Sequence, residues 1–226
     1  MMRLLIVSAT FGEIKAIFEK YQNFEKKDDY FSSHHINNID ADILITGIGI
    51  ASTAYQMGKV IGRNKYDFAL NFGIAGAFNK KIKHGDVVNV KEDIISELGA
   101  ENSSSFLKFD ELNIGKSSIG KTIWHVENHF EINNPVIQKL PKVKGITVNT
   151  VHGNNESINK VIELFNPDIE TMEGAAFMHI CNAEKIKCAQ IRSISNYVEE
   201  RNTGKWNIDL AIERLNERSI QILTSF

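Results

Sequence analysis

The sequence of 226 residues contains few cysteines and no long hydrophobic run, and each shortage excludes a class of protein. Its two cysteines, Cys181 and Cys188, are separated by six residues, which fits neither a CxxC redox pair nor a zinc knuckle. The apolar run 4–7 is too short for a secretory signal, and no segment approaches the length of a membrane span. We therefore expect a cytoplasmic protein with reduced thiols and no membrane partner.

The sequence also lacks an excess of either charge. Lysine and arginine total 26 against 28 acidic residues, for a formal charge of −2, so no nucleic-acid partner is indicated. Hydrophobic residues make up 42% and charged residues 24%, as in ordinary globular proteins, which argues against disorder. We expect a folded chain with a sizeable core and a small-molecule ligand.

Short apolar runs alternate with helical patterns along most of the chain. Strands are predicted at 3–9, 41–50, 66–78, 85–95, 144–153 and 187–196, with a turn plus strand at 166–172. Helical patterns lie at 10–21, 155–165, 173–185 and 206–226. The polar segment 96–141, the middle excursion, is predicted to be a long loop region that contains weak strands. Strands alternating with helices predict one α/β domain over residues 1–226, with a central sheet covered on both faces.

One motif matches the Walker A pattern letter for letter, at Gly115–Thr122. A phosphate-binding loop needs a buried strand before it and a helix after it, so that backbone N–H groups converge on the phosphates. Here the preceding segment carries charges, and the following segment has strand-like patterning and an early proline. We therefore reject a nucleotide triphosphate site.

Two weaker motifs are also ambiguous or negative. Gly47–Ser52 resembles a dinucleotide fingerprint, with Asp67 downstream, but Asp67 begins a strand instead of ending one. A tight turn and a ligand contact both remain open for this segment. His125 and His129 are four residues apart, yet their segment lacks helical periodicity, so no metal site is predicted.

Polar and glycine-rich segments follow several apolar strands at the point where each strand ends. They are 10–13, 71–77, 170–176 and 192–196. Ligand clefts in α/β sheets form at this position, so we expect these segments to meet. Each one alone also has a structural explanation, with Glu13 and Glu173 as exposed residues in a helix's first turn and Asn196 as a turn former.

Together the four segments resemble the purine nucleoside phosphorylase and nucleosidase superfamily. The motifs on which this resemblance rests are IVSATFGEI, NFGIAGAF, ETMEGAAF and IRSISN, which appear in this order from near residue 3 onward. The resemblance implies a three-layer α/β/α sandwich with a mixed sheet, enzymatic cleavage of a purine nucleoside and no cofactor. It also implies a homo-oligomer, most simply a dimer, which light scattering can test.

The resemblance assigns roles around the ribose. Glu13 would lie beside the attacking water as general base, with Arg192 as its orienting partner. Glu173 would accept hydrogen bonds from the 2′- and 3′-hydroxyls, while Met172 packs against the sugar. The first loop, residues 10–13 after the first predicted strand, carries the carboxylate of Glu13. Phosphorylases of this superfamily carry an arginine there, so the resemblance favours hydrolysis over phosphorolysis.

The resemblance also predicts the surroundings of the base. The backbone at Gly73 and Ile74 would approach the ribose or base, and His152 would form a stacking wall. Adenine-specific relatives carry aspartate where this sequence has Asn196, and an asparagine amide offers donors that suit a 6-oxopurine. Hypoxanthine is therefore the expected leaving base.

Three functions other than hydrolysis of a hypoxanthine nucleoside are also compatible with the sequence. They are hydrolysis of an adenine nucleoside, phosphorolysis, and nucleoside binding without catalysis. The presence of both Glu13 and Glu173 argues against a silent binding protein, and the lack of an arginine in the first loop argues against phosphorolysis.

Overall fold

The structure is a computed structural model that describes residues 2–103, 105–112 and 124–226. The strands are β1 (Arg3–Ser8), β2 (Phe24–Lys26), β3 (Phe31–Ile36), β4 (Ile39–Ile45), β5 (Phe68–Ala77), β6 (Val87–Ile95), β7 (Gly99–Asn102), β8 (Ser105–Lys108), β9 (His125–Glu127), β10 (Lys142–Thr147), β11 (Ile169–Thr171) and β12 (Lys187–Tyr197). The helices are α1 (Lys15–Lys20), α2 (Ile50–Ile61), α3 (Pro135–Gln138), α4 (Asn155–Phe165), α5 (Gly174–Ala183) and α6 (Ile208–Leu223). The rejected Walker-like motif lies outside the described residues.

The central sheet has the strand order β11-β10-β6-β12-β5-β1-β4-β3-β2, with β9 beside β6. It is mixed, because β1, β4, β5 and β12 run parallel while β6 is antiparallel to β12. Helices pack on both faces, so the predicted α/β/α sandwich is confirmed. None of the helices in the described part of the chain could span a bilayer.

Alternation along β1 explains why both faces are covered. Leu4 and Ile6 pack in a cluster with residues of α1 and α6, whereas Leu5 and Val7 point to the opposite cluster with residues of α2 and α5. All four side chains are fully buried. A strand buried on both faces has no polar alternation, which is the pattern of the run 3–9.

The long strand β5 changes neighbours along its length, and this creates the site. Its first part, Phe68–Asn71, pairs with β1, while its last residues, Gly76 and Ala77, pair with β11. Since β11 also pairs with β10, the sheet curls back on itself at this end. A gap opens between the end of β1 and the start of the contact with β11.

The predicted middle excursion does contain short strands. β7 and β8 form a small separate sheet, and β9 extends the main sheet beside β6. His125 lies in β9 and His129 follows it, so the two histidines do not share a helical face. Asp67 accepts a hydrogen bond from the Arg3 amide at the start of β5, which is a structural role.

Candidate active site

A cavity of about 400 Å³ occupies the gap at the ends of β1, β5, β11 and β12. Six of the eight predicted site residues line this cavity: Glu13, Ile74, His152, Met172, Glu173 and Asn196. The other two, Gly73 and Arg192, lie in paired positions on β5 and β12 behind it. Chain segments up to 183 residues apart therefore converge as expected from the strand ends.

Glu13 is held in one orientation by four donors. One carboxylate oxygen, Oε2, accepts hydrogen bonds from Ser8 Oγ at 3.0 Å and from the Thr10 amide and hydroxyl at 2.9 Å each. The other, Oε1, accepts the Ile74 amide at 3.1 Å. The Thr10-to-Glu13 spacing is that of a capping box, which explains the local geometry. Glu13 is only 6% exposed, so its interpretation as an exposed first-turn residue is wrong.

Glu173 directly precedes α5 and lines the same cavity as Glu13. Its Oε1 accepts a hydrogen bond from the Gly49 amide at 3.1 Å, and its Oε2 lies 3.9 Å from Arg192 Nη2. Burial raises the pKa of Glu173, against the opposing effect of the Arg192 charge. The side chain is buried, so the exposed alternative is wrong here as well. Met172 lines the cavity beside it.

Arg192 is completely buried on β12. Its Nη2 donates to Asn71 Oδ1 at 2.5 Å, and its Nε donates to Gln190 Oε1 at 3.3 Å. The carboxylate recorded as its ion-pair partner is Glu173, at 3.9 Å. Since a buried charge needs a counter-charge and hydrogen bonds, Arg192 is positioned to hold Glu173. Its predicted role as the orienting partner of Glu13 stays a prediction, because the donors to Glu13 in the described residues are Ser8, Thr10 and Ile74.

Gly73 leaves the space that the Arg192 guanidinium occupies. A Cβ atom at this position would overlap Nη1 of Arg192 and lie 3.3 Å from Oε1 of Glu13. We expect Gly73→Ala to lower the free energy of unfolding by about 2 to 3 kcal/mol, as overpacking of a buried site does. Chemical denaturation measures this change.

Gly58 supplies the matched control for that substitution. It lies on the exposed face of α2, and a Cβ there meets nothing within 4 Å. Gly58→Ala should therefore raise the free energy of unfolding by about 0.5 to 1 kcal/mol. Equal effects of the two substitutions would contradict the close contact between Gly73 and Arg192.

Asn196 has part of its amide already engaged. Its Oδ1 accepts a hydrogen bond from Ser195 Oγ at 2.8 Å, and its Nδ2 donates to the Tyr197 carbonyl at 3.0 Å. The bond from Ser195 identifies Oδ1 as the acceptor, so the NH₂ group is the part that offers a further proton to a ligand. Asn196 is half-buried and lines the cavity.

His152 and Glu170 form a pair that the sequence did not predict. Glu170, buried in β11, accepts the His152 amide at 3.0 Å and contacts His152 Nδ1 at 2.5 Å. Both residues line the cavity. An acid inside a short apolar strand was the available signal, because such a residue needs a buried partner.

A buried polar chain behind the site was also missed. Asp93 on β6 accepts Thr147 Oγ1 at 2.8 Å and Gln190 Nε2 at 2.8 Å, and Gln190 in turn binds Arg192. Burial raises the pKa of Asp93 to about 7. Gly174 opens α5 against this chain, since a Cβ there would collide with Asp93 and Gln190.

A second cavity of about 390 Å³ adjoins the first and shares His152, Asn196 and Trp206 with it. Its other lining residues include Arg201 and Lys205. The guanidinium of Arg201 lies 5.3 Å from the centroid of the Trp206 ring, whereas Lys205 Nζ binds Glu199 at 3.2 Å. The first cavity therefore carries the acidic residues of the site, and the second cavity adds cations.

The curled mixed sheet makes the chain an α/β protein, and the acid-lined cavity at its strand ends is its candidate active site. The chain belongs to the phosphorylase superfamily, whose model matches residues 3–226. It is 28% identical over 178 residues to the futalosine hydrolase of Thermus thermophilus, with 76% of each chain covered. It is 24% identical over 232 residues to the 5′-methylthioadenosine/S-adenosylhomocysteine nucleosidase of Buchnera aphidicola, covering 98% of this chain and 89% of that protein.

A solved structure has the same fold over nearly its whole length. The 5′-methylthioadenosine/S-adenosylhomocysteine nucleosidase of Campylobacter jejuni superposes with a TM-score of 0.83 at 19% identity, covering 100% of this chain and 98% of that one. At this identity the likeness concerns the fold.

Proposed function

We propose that this enzyme is an N-ribosyl hydrolase that cleaves futalosine to dehypoxanthine futalosine and hypoxanthine in menaquinone biosynthesis. The observation that carries the proposal is the placement of Glu13, Glu173 and Asn196 around one cavity. The relative from Thermus thermophilus that bears the name futalosine hydrolase supports the same choice.

The two carboxylates suit the chemistry of N-glycosidic cleavage. As the C1′–N9 bond breaks, positive charge develops on the ribose, and water must attack the opposite face of the sugar. Glu13 accepts the proton of that water, with its carboxylate fixed by Ser8, Thr10 and Ile74. Glu173 accepts hydrogen bonds from the ribose hydroxyls and stabilises the cationic sugar.

The absence of a cation in the first loop supports water as the nucleophile. Thr10 and Glu13 line the cavity, and a phosphate dianion would meet the Glu13 carboxylate there. Arg192, the buried cation of the site, is already bound by Asn71, Gln190 and Glu173. Hydrolysis therefore fits better than phosphorolysis.

A carboxyphenyl tail distinguishes futalosine from simple nucleosides, and the second cavity offers it a partner. From the sequence, Arg201 and Lys205 are the candidate cations for the tail carboxylate. The candidate apolar walls are Phe11, Trp206 or a residue of the middle segment 96–141. Lys205 is bound to Glu199, and Phe11 packs on Phe18, whereas Arg201 and Trp206 stack beside the cavity. We assign the tail to Arg201 and Trp206.

A substrate screen tests the proposal directly. The enzyme is incubated with futalosine, aminofutalosine, methylthioadenosine and inosine, with and without phosphate, and the released base is identified by chromatography. We expect hypoxanthine from futalosine at a rate independent of phosphate. Preferential release of adenine would favour the alternative function suggested by the Buchnera relative, and a requirement for phosphate would indicate a phosphorylase.

The side chain at 196 should decide between the two purines. Asn196→Asp replaces the NH₂ donors by a carboxylate that sets a lone pair against the hypoxanthine O6 and accepts from a 6-amino group. We expect the ratio of kcat/KM for futalosine over aminofutalosine to fall at least about tenfold, or about 1.4 kcal/mol.

Tyr197→Phe is the control for that substitution, because the Asn196 amide contacts the main-chain carbonyl of Tyr197 and not its side chain. It should leave the ratio unchanged. If Asn196→Asp also leaves the ratio unchanged, another group reads the 6-position.

A further inference from the structure

With an asparagine at position 196 beside the base, protonation of the leaving purine has no assigned proton donor. When C1′–N9 breaks, its electron pair stays on the purine, and hypoxanthine leaves readily only if it gains a proton. A carboxamide is not an acid, and the Asn196 amide is already bound to Ser195 and Tyr197. The inference below rests on the proposed function and addresses this missing proton donor.

His152 and Glu170 form a close pair on the wall of the cavity. The Glu170 carboxylate is directed at His152 through both the main-chain amide and Nδ1. Because an ionised carboxylate only accepts, Nδ1 carries a proton and the ring is fixed in one orientation. Within the described residues no hydrogen bond is recorded for Nε2, and the imidazole borders the cavity. This leaves Nε2 available to a ligand.

The other lining groups do not meet the requirement. Glu13 and Glu173 are assigned to water and ribose, and Glu170 is engaged with His152. The hydroxyls of Thr10, Thr171 and Ser195 are engaged within the protein and are weak acids. Among the cavity residues that the structure describes, His152 is left as the side chain with a ring nitrogen that can transfer a proton.

We propose that His152, held by Glu170, is the general acid that protonates the leaving purine. In the imidazolium form, Nε2–H transfers its proton to a ring nitrogen of the purine as C1′–N9 breaks and the electron pair moves to the base. The water oxygen bonds to C1′ and gives its proton to Glu13. The proton on Glu13 then leaves to solvent while His152 regains one, so one water is consumed per turnover.

The test compares two leaving groups on the same enzyme. N7-methylated futalosine carries a cationic base that departs neutral and needs no proton. We expect His152→Gln to lower kcat on futalosine about a hundredfold, and on the N7-methylated substrate less than about threefold. Glu170→Gln, which keeps a hydrogen-bonding side chain without the charge, should show the same pattern at about tenfold.

Glu13→Gln is the control, because loss of the base should slow both substrates alike. If His152→Gln and Glu170→Gln also slow both substrates equally, His152 only packs against the base and the assignment is wrong. Should one variant fail to fold, the other carries the comparison. If wild-type enzyme cleaves an adenine nucleoside instead, the proposed function fails, and the same comparison on that nucleoside and its N7-methyl derivative decides the role of His152.

Discussion

Replacement of Glu13 by glutamine should lower kcat by about 10²- to 10⁴-fold while KM changes little, the range expected for loss of a general base. The glutamine side chain has nearly the same shape but cannot accept the proton of the attacking water. Its oxygen can still accept from Ser8 and Thr10, so the loop should keep its conformation. Steady-state kinetics on futalosine measure the change.

The substitution also has a predictable side effect on stability. In the wild-type protein the Ile74 amide donates to Oε1 of Glu13. In the variant the glutamine NH₂ group takes the place of this oxygen, so the Ile74 amide loses its acceptor. That costs about 1 to 3 kcal/mol, and kinetics must be measured well below the unfolding temperature. Glu19→Gln, on the exposed surface of α1, is the control and should leave kcat unchanged. Near-normal turnover in Glu13→Gln would remove Glu13 from the reaction.

The sequence predicted the position of the site because the site depends on strand ends. Glu13 and Glu173 follow apolar strands and Asn196 lies beside the last residue of β12, and the carboxyl ends of parallel strands meet at one edge of a sheet. Short apolar runs with no polar alternation also marked β1 as buried on both faces, which the packing of α1, α6, α2 and α5 confirms.

The missing parts depend on contacts between segments that are distant in the sequence. Nothing local shows that Glu170 faces His152, which is 18 residues away, or that Asp93 binds Gln190, which is 97 residues away. These polar residues look like ordinary strand or loop positions until the sheet curls and β11 pairs with β5. The closing of the sheet is itself set by register, which periodicity alone does not encode.

Glu173→Ala should lower kcat/KM for a ribonucleoside by about 10³-fold. A carboxylate that accepts from two hydroxyls contributes about 1.5 to 3 kcal/mol per charged hydrogen bond, and these bonds strengthen as the sugar becomes cationic. Burial raises the pKa of Glu173, so acidification should weaken the same contacts at a higher pH than for an exposed glutamate. Kinetics of the wild-type and variant enzymes on the substrate and its 2′-deoxy analogue measure the effect.

The 2′-deoxy analogue separates ribose binding from structural damage. Removing Glu173 also removes the carboxylate 3.9 Å from the buried Arg192 and the acceptor of the Gly49 amide. A displaced Arg192 would slow both substrates by the same factor, because neither its position nor the Gly49 turn depends on the 2′-hydroxyl. If Glu173 binds the ribose hydroxyls, Glu173→Ala should lower kcat/KM for the 2′-deoxy analogue by a factor at least about tenfold smaller than for the ribonucleoside. The reason is that the analogue lacks one of the two hydrogen bonds even with the wild-type enzyme. Equal penalties would show that Glu173 acts through Arg192 and not on the ribose.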